Sequence, residues 1–282
     1  MLILKQTITE YISTNLLQPY QVWDMATTYQ ADDYVIYENY IYKCIVNNNV
    51  EIQPDLNTGK WLLMGVDNAY AGIDLNSSTA TQIDEALPFI ECTFSATGSD
   101  SLAFGRIYGT TLTVEQYDVG DVLLDSTDYP ITGETAVDAF TNALEPTVDY
   151  ITIRVTPATD GGAYFASMVC GKSEDIGATE YNVNIDIIDY SVKTTDQYGI
   201  TTLQRRRSRE VMEVDIVSDS ADTQLHKRQI KAVLGTALMF IADPSTDSKY
   251  DSLIILGYVD RYQMYIDNGV KSRARMKIME VL

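Results

Sequence analysis

Tyr34-Val35-Ile36-Tyr37-Glu38-Asn39-Tyr40-Ile41-Tyr42-Lys43-Cys44 is the stretch from which the rest of this 282-residue chain is read. Two short runs of large side chains break at Glu38-Asn39. Side chains two apart share a face of a strand, so the stretch predicts a β-hairpin. Around it, residues 20 to 65 hold both tryptophans and six of the twenty tyrosines. A unit this small has too few residues for an aliphatic core, and large rings fill it instead. Trp23, Tyr29, Tyr42 and Trp61 are the expected module core.

The order Trp23, Tyr29, Asp33, Val35, Tyr37, Tyr42 and Trp61 resembles the chitin-binding-like modules of carbohydrate-binding families five and twelve. The chain has Asp32 where that pattern carries the glycine before its aspartate, Asn39 where it carries the turn glycine, and no tryptophan directly following Cys44, where sugar-binding members expose one. The resemblance implies a miniature β fold. It also implies a surface where the rings of Tyr37 and Tyr40 would stack on sugar C–H faces and the Asp32 carboxylate would bind hydroxyls. Modules of this kind are shared by bacteriophage tail and baseplate proteins and by secreted chitinases.

Working outward, residues 66 to 175 predict an antiparallel β-sandwich. The strand runs are Phe89 to Phe94, Ser101 to Phe104, Thr111 to Val114, Val122 to Leu124, Tyr150 to Val155 and Tyr164 to Val169, with Gly, Asp, Pro and Thr between them. Residues 137 to 144 read as a short helical turn. Asp74 to Gln82 is polar, but it lacks the ligand order of a calcium loop and reads as a connection.

Residues 176 to 282 change character to an α+β unit. Ile185 to Val217 predicts a long hairpin around Asp196-Gln197-Tyr198-Gly199. After Ser218-Asp219-Ser220, Ala221 to Leu234 reads as an amphipathic helix with apolar positions at Leu225, Ile230, Val233 and Leu234, stopped by Gly235. Three further elements follow: strands Ala237 to Ala242 and Leu253 to Val259, then a hairpin of Arg261 to Ile266 and Val270 to Leu282 around Asp267-Asn268-Gly269. Residues 1 to 19 read as an arm or short helix on Leu2, Ile3, Ile8, Ile12 and Leu16. The chain as a whole is mainly β.

The net charge of −20 is unevenly spread. Residues 1 to 190 hold 6 Lys and Arg against 28 Asp and Glu (6 − 28 = −22), and residues 191 to 282 hold 14 against 12 (14 − 12 = +2). An acidic half opposes phosphate backbones, so sequence-specific nucleic acid is not an expected partner. The run Arg205-Arg206-Arg207-Ser208-Arg209 is the basic counterpart, able to pair with acidic surfaces of a neighbouring copy. Three cysteines, at 44, 92 and 170, and a single His226 describe neither a disulfide framework nor a zinc site, and buried thiols are expected. No cofactor or metal is expected either: Thr159-Asp160-Gly161-Gly162 is turn chemistry and not a phosphate loop. The amino terminus lacks a secretory pattern, and no apolar run approaches a membrane span, so membrane insertion is not expected. His226, beside Lys227 and Arg228, reads as a surface or interface side chain without a nucleophile to serve, and the expectation is that the chain is not an enzyme.

Residues 66 to 282 resemble a group of bacteriophage virion proteins. In that group a sandwich precedes a segment that here runs Ile188-Asp189-Tyr190-Ser191-Val192-Lys193-Thr194-Thr195-Asp196-Gln197-Tyr198-Gly199-Ile200-Thr201-Thr202. The resemblance implies a tail, baseplate or neck component, assembled in the host cytoplasm into the virion. Its partners would be other copies in a ring, neighbouring tail, baseplate or neck proteins, and tail fibres or host surface glycan. Arg205, Arg206, Arg207 and Arg209 are the expected oligomer-interface residues. The alternative from another class is a carbohydrate-binding adhesin or an accessory protein of a glycoside hydrolase.

Overall fold

The computed structural model describes residues 1–84, 86–131, 136–141, 143–180, 182–244, 253–266 and 269–282. The chain is mainly β, with one α-helix among the described residues. An N-terminal segment contributes β1 (Leu2–Leu4) and β2 (Ser13–Thr14). The aromatic module follows, with β3 (Gln21–Val22), β4 (Tyr34–Tyr37), β5 (Tyr40–Cys44) and β6 (Trp61–Val66). Next come β7 (Thr81–Gln82), β8 (Ile90–Ser95), β9 (Ser101–Tyr108), β10 (Thr111–Tyr117), β11 (Leu123–Pro130), β12 (Val137–Thr141), β13 (Tyr150–Thr156) and β14 (Tyr164–Gly171). The last third holds β15 (Ser173–Asp175), β16 (Ala178–Thr179), β17 (Asn184–Asp189), β18 (Val192–Thr195), β19 (Thr201–Gln204), β20 (Ser208–Asp219), α1 (Thr223–Val233), β21 (Leu238–Ile241), β22 (Ile254–Ile266) and β23 (Lys271–Glu280).

These strands stack in layers. A five-stranded sheet, β11-β10-β13-β8-β2, faces a four-stranded one, β12-β9-β14-β7. Phe94, Ile151, Ile153, Phe104, Phe165 and Met168 fill the space between them. The other face of the four-stranded sheet presents Ala103 and Val169 to Leu4, Met239, Ile241 and Leu256 of an eight-stranded sheet, β15-β1-β21-β22-β23-β20-β16 with β17 also on β20. Helix α1 closes the far side through Ile230, packed with Met212, Ile216, Phe240 and Met276. Having both faces covered explains why β14 is buried without alternation from Phe165 to Gly171.

Four expectations are corrected here. Residues 1–19 form no helix: Leu2–Leu4 pairs with Ile241, Phe240 and Met239 on one side and with Asp175, Glu174 and Ser173 on the other. The segment then crosses β14, where the Thr7 amide donates to Cys170 O at 2.9 Å, and ends on β8. Apolar spacing misled because these side chains serve three different layers. A side chain on Gly171 would run into the Lys5 carbonyl, so this crossing needs glycine. Second, Val137–Thr141 is a strand on β9 and not a helical turn, because β9 offers it an open edge; Asn142 lies outside the described residues. Third, Leu253 to Val259 and Arg261 to Ile266 are one strand, since an irregularity at Asp260 absorbs the extra residue opposite β23. Of the closing turn, Asp267 and Asn268 lie outside the described residues. Fourth, His226 is buried and faces the sheet, whereas Leu225 and Leu234 are exposed. The helix begins at Thr223 after a 3-10 turn, which rotates the buried face onto Thr223, His226 and Ile230. Cys44, Cys92 and Cys170 are buried free thiols, and burial pushes Cys92 up to about 11 and Cys170 to about 12.

Candidate functional site

In the aromatic module, Tyr29, Val35, Cys44 and Trp61 are buried, with Trp23 and Tyr42 packed against them. Tyr29 meets Trp61 edge to face at 5.3 Å, and Trp61 Nε1 donates to Ile52 O at 2.8 Å, so the indole is fixed at both its ring and its polar atom. The β4–β5 turn places Glu38 at φ 47° and Asn39 at φ 68°, two successive left-handed residues that match the twist of a tight hairpin. Asp32 also lies in the left-handed region, at φ 74°. The two positions where the chain departs from the glycines of the resembling modules are therefore positions where the backbone favours glycine.

The proposed sugar site is not brought together. Tyr37 and Tyr40 are cross-strand partners beside the turn, and Tyr40 is 42% exposed. Tyr37 is engaged, edge to face with Trp23 at 5.5 Å, and its hydroxyl donates to Glu38 and accepts from Gln53 Nε2. Asp32 sits at the opposite end of β5, where its amide donates to Cys44 O and its carboxylate meets Lys43 Nζ at 2.6 Å. That ion pair raises the Lys43 pKa. Asp32 thus belongs to a loop anchor, separated from the Tyr40 ring by the length of the strand. The spacing of the cassette carried no signal of which strand end each residue would occupy.

A second surface is built by the arm of residues 190–207. Among the described residues β18 and β19 pair only with each other, Val192 opposite Gln204 through Thr195 opposite Thr201. Asp196 shapes the tip: its carboxylate accepts from the amides of Tyr198 and Ile200, both at 2.9 Å, and Gly199 takes φ 81°. Apolar side chains on this arm face solvent, Tyr198 at 79%, Ile200 at 64% and Leu203 at 64% exposure.

The base of the arm, by contrast, is tied down. Hydrogen bonds from Ser191 hold the Asp189 carboxyl below its ordinary value, with Lys193 and Arg205 adding to the effect. Arg209 lies over the Tyr190 ring at 5.9 Å and donates to the Tyr258 hydroxyl at 3.4 Å. Arg207 donates to Ser78 Oγ at 2.7 Å. Of the four arginines expected at an interface, the structure takes Arg209 and Arg207 into this base, while Arg205 and Arg206 form no ion pair among the described residues. Glu210, the third residue of β20, lies beside Glu280, and burial, reinforced by that neighbour's charge, pushes its carboxyl up. Sequence reasoning missed two exposed apolar runs, Leu62-Leu63-Met64 on β6 and Val119, Val122 and Leu123 before and on β11. Consecutive apolar residues in a strand with one open edge were the available signal.

No family model matches the chain, and no curated protein matches it. Among solved structures it is similar to chitosan-binding module 1 of a chitosanase/glucanase from Paenibacillus sp. IK-5, with 14% identity and a TM-score of 0.30, over 36% of this chain and 82% of that module. A likeness this distant assigns a role to no residue. No described helix is long and apolar enough to cross a membrane.

Proposed function

We propose that the protein is a non-catalytic structural subunit of a tailed-bacteriophage particle, in its tail, baseplate or neck, which joins copies of itself into a ring. The observation that carries the reading is the arm of residues 190–207. An isolated two-stranded hairpin is marginal in water, and this one displays Tyr198, Ile200 and Leu203 to solvent. An ordered base with an unsupported apolar tip fits an element that completes its packing on a neighbour. Strand addition supplies main-chain hydrogen bonds for affinity and alternating side chains for register. Neighbouring tail, baseplate or neck proteins and fibres would bind elsewhere on the ring, and the virion, assembled in the host cytoplasm, is its location. The placement in a phage particle rests on the resemblance of residues 66 to 282 to virion proteins.

The test is sedimentation of the purified chain beside a variant in which Tyr198, Ile200 and Leu203 are replaced by serine, followed by electron microscopy of any assembly. A ring from the parent chain and monomers from the variant are expected. A monomeric parent at high concentration would remove the reading.

One observation favours a second reading, peripheral glycan contact: the half-exposed Tyr40 ring beside Tyr37 on the module surface. Titration of the whole chain with chitin oligosaccharides, with Tyr40→Ala as the control, tests it. Binding lost in the variant would support an adhesin-like role, and an absence of binding would leave the module as a packing unit.

A further inference from the structure

We propose that the landing site of the arm is the open edge of β11 on a second copy of this chain. The inference rests on the assembly reading above and adds the receiving surface.

Among the described residues β11 pairs with β10 along one side and with no strand along the other, so its outer N–H and C=O groups are offered to a partner strand. Apolar side chains stand at its start: Val119 is 88% exposed, Val122 57% and Leu123 50%. The same stretch carries Asp118, Asp121, Asp125 and Asp128. From residue 107 to residue 153 the chain has nine acidic residues and no lysine or arginine. The four aspartates accept only from neutral groups: Asp118 from the amides of Gly120 and Val122, Asp121 from the Tyr150 hydroxyl, Asp125 from Thr127 and Gln116, and Asp128 from Thr113. Among the described residues none of the four forms an ion pair.

The arm has the complementary set. Ile200 just before β19 and Leu203 on it supply apolar contacts, and Arg205 and Arg206 follow after Gln204, with no ion pair among the described residues. Apolar residues followed by cations on one strand match apolar residues beside carboxylates on the other. Other open edges fit less well. β2, β3, β7, β15 and β16 are two or three residues long, β12 is half-buried throughout, and β17, which exposes Ile185 and Ile187 beside Asp186 and Asp189, has Asp189 already set against Lys193 and Arg205 of its own arm. β6 exposes Leu62, Leu63 and Met64 but carries no acidic residue. Because the arm and β11 are different surfaces, the contact is head to tail, the kind that closes into rings.

Two measurements test the pairing. In sedimentation, Asp125→Lys with Asp128→Lys is expected to weaken association about tenfold or more, as is Arg205→Glu with Arg206→Glu, and combining the four changes restores assembly. Hydrogen exchange on the parent chain guards against a misfolded variant: β11 amides that exchange in the monomer are expected to be protected in the assembly. If the parent assembles while the β11 variant associates normally, or if protection falls on β6 instead, this inference is overturned and the assembly reading stands. If the parent stays monomeric at every concentration, both fail.

Discussion

The layered body and the arm are built from the same kinds of residues and differ in what holds them. In the body, the strand Tyr164–Gly171 is covered on both faces, and Phe94, Phe104 and Phe165 have almost no exposed surface. In the arm, Tyr198, Ile200 and Leu203 occupy strand and turn positions with nothing packed over them. Burial of a large side chain contributes about 1.5–3 kcal/mol, so the body is stabilised from within. The arm keeps its shape through local hydrogen bonds at Asp196 and an anchored base. The difference teaches that an anchored root and an exposed tip are separate features, the first fixing where the arm stands and the second leaving its apolar side chains uncovered.

The largest effects should come from the interior. Phe94→Ala is expected to cost about 3–5 kcal/mol in urea unfolding, because its cavity cannot collapse between two sheets. Trp61→Ala should cost a similar amount within the module, where it packs in one small buried cluster with Tyr29, Val35 and Cys44. Fluorescence and proteolysis should then show residues 20 to 65 opening while the layered body stays folded. If Trp61→Ala unfolded the whole chain, the module would be part of the body and the contrast would need redrawing.

An intermediate effect is expected at the crossing of the N-terminal segment. Gly171→Ala forces a side chain against the Lys5 carbonyl and should destabilise by about 1–3 kcal/mol, with residues 5 to 7 losing exchange protection first.

Acid titration sharpens the comparison further, because two carboxyls of the last third shift in opposite directions. Asp215 is held below its ordinary value by its hydrogen bonds from Arg275, whose Nε and Nη2 both lie at 2.8 Å, and by that residue's charge. Its contribution, under about 1 kcal/mol for a solvent-accessible pair, is present above the unfolded value and is lost as pH falls through the folded one. Glu210 is pushed up by burial and by Glu280, so its contribution is full below the unfolded value and lost as pH rises through the folded one. Glu210→Gln should therefore stabilise the arm base at neutral pH, and Asp215→Asn should destabilise its surroundings there. Equal pH profiles for the two variants would refute this assignment. The smallest effect is Tyr198→Ala, within about 0.5 kcal/mol for the monomer.

Much of the body was legible because half-covered strands alternate: Tyr150 to Val155 and Thr111 to Val114 announce themselves. β1 was not legible, since three residues at the start of the chain pair with strands formed by residues 173–175 and 238–241. Local pattern holds no information about partners that far away. The module hairpin and its turn were readable in Glu38-Asn39, but the separation of Asp32 from Tyr40 was not, because loop paths decide it. The arginine run was visible as charge. That Arg207 and Arg209 are consumed at the base while Arg205 and Arg206 project depends on Ser78, Tyr190 and Tyr258, whose placement only the fold supplies.

The most direct test of a partner-dependent arm is hydrogen exchange on the amides of residues 192–204, measured in dilute monomer and again at concentrations where copies associate. Fast exchange in the monomer with strong protection in the assembly is the expected result. Protection already present in the monomer, or fast exchange persisting in the assembly, would contradict it.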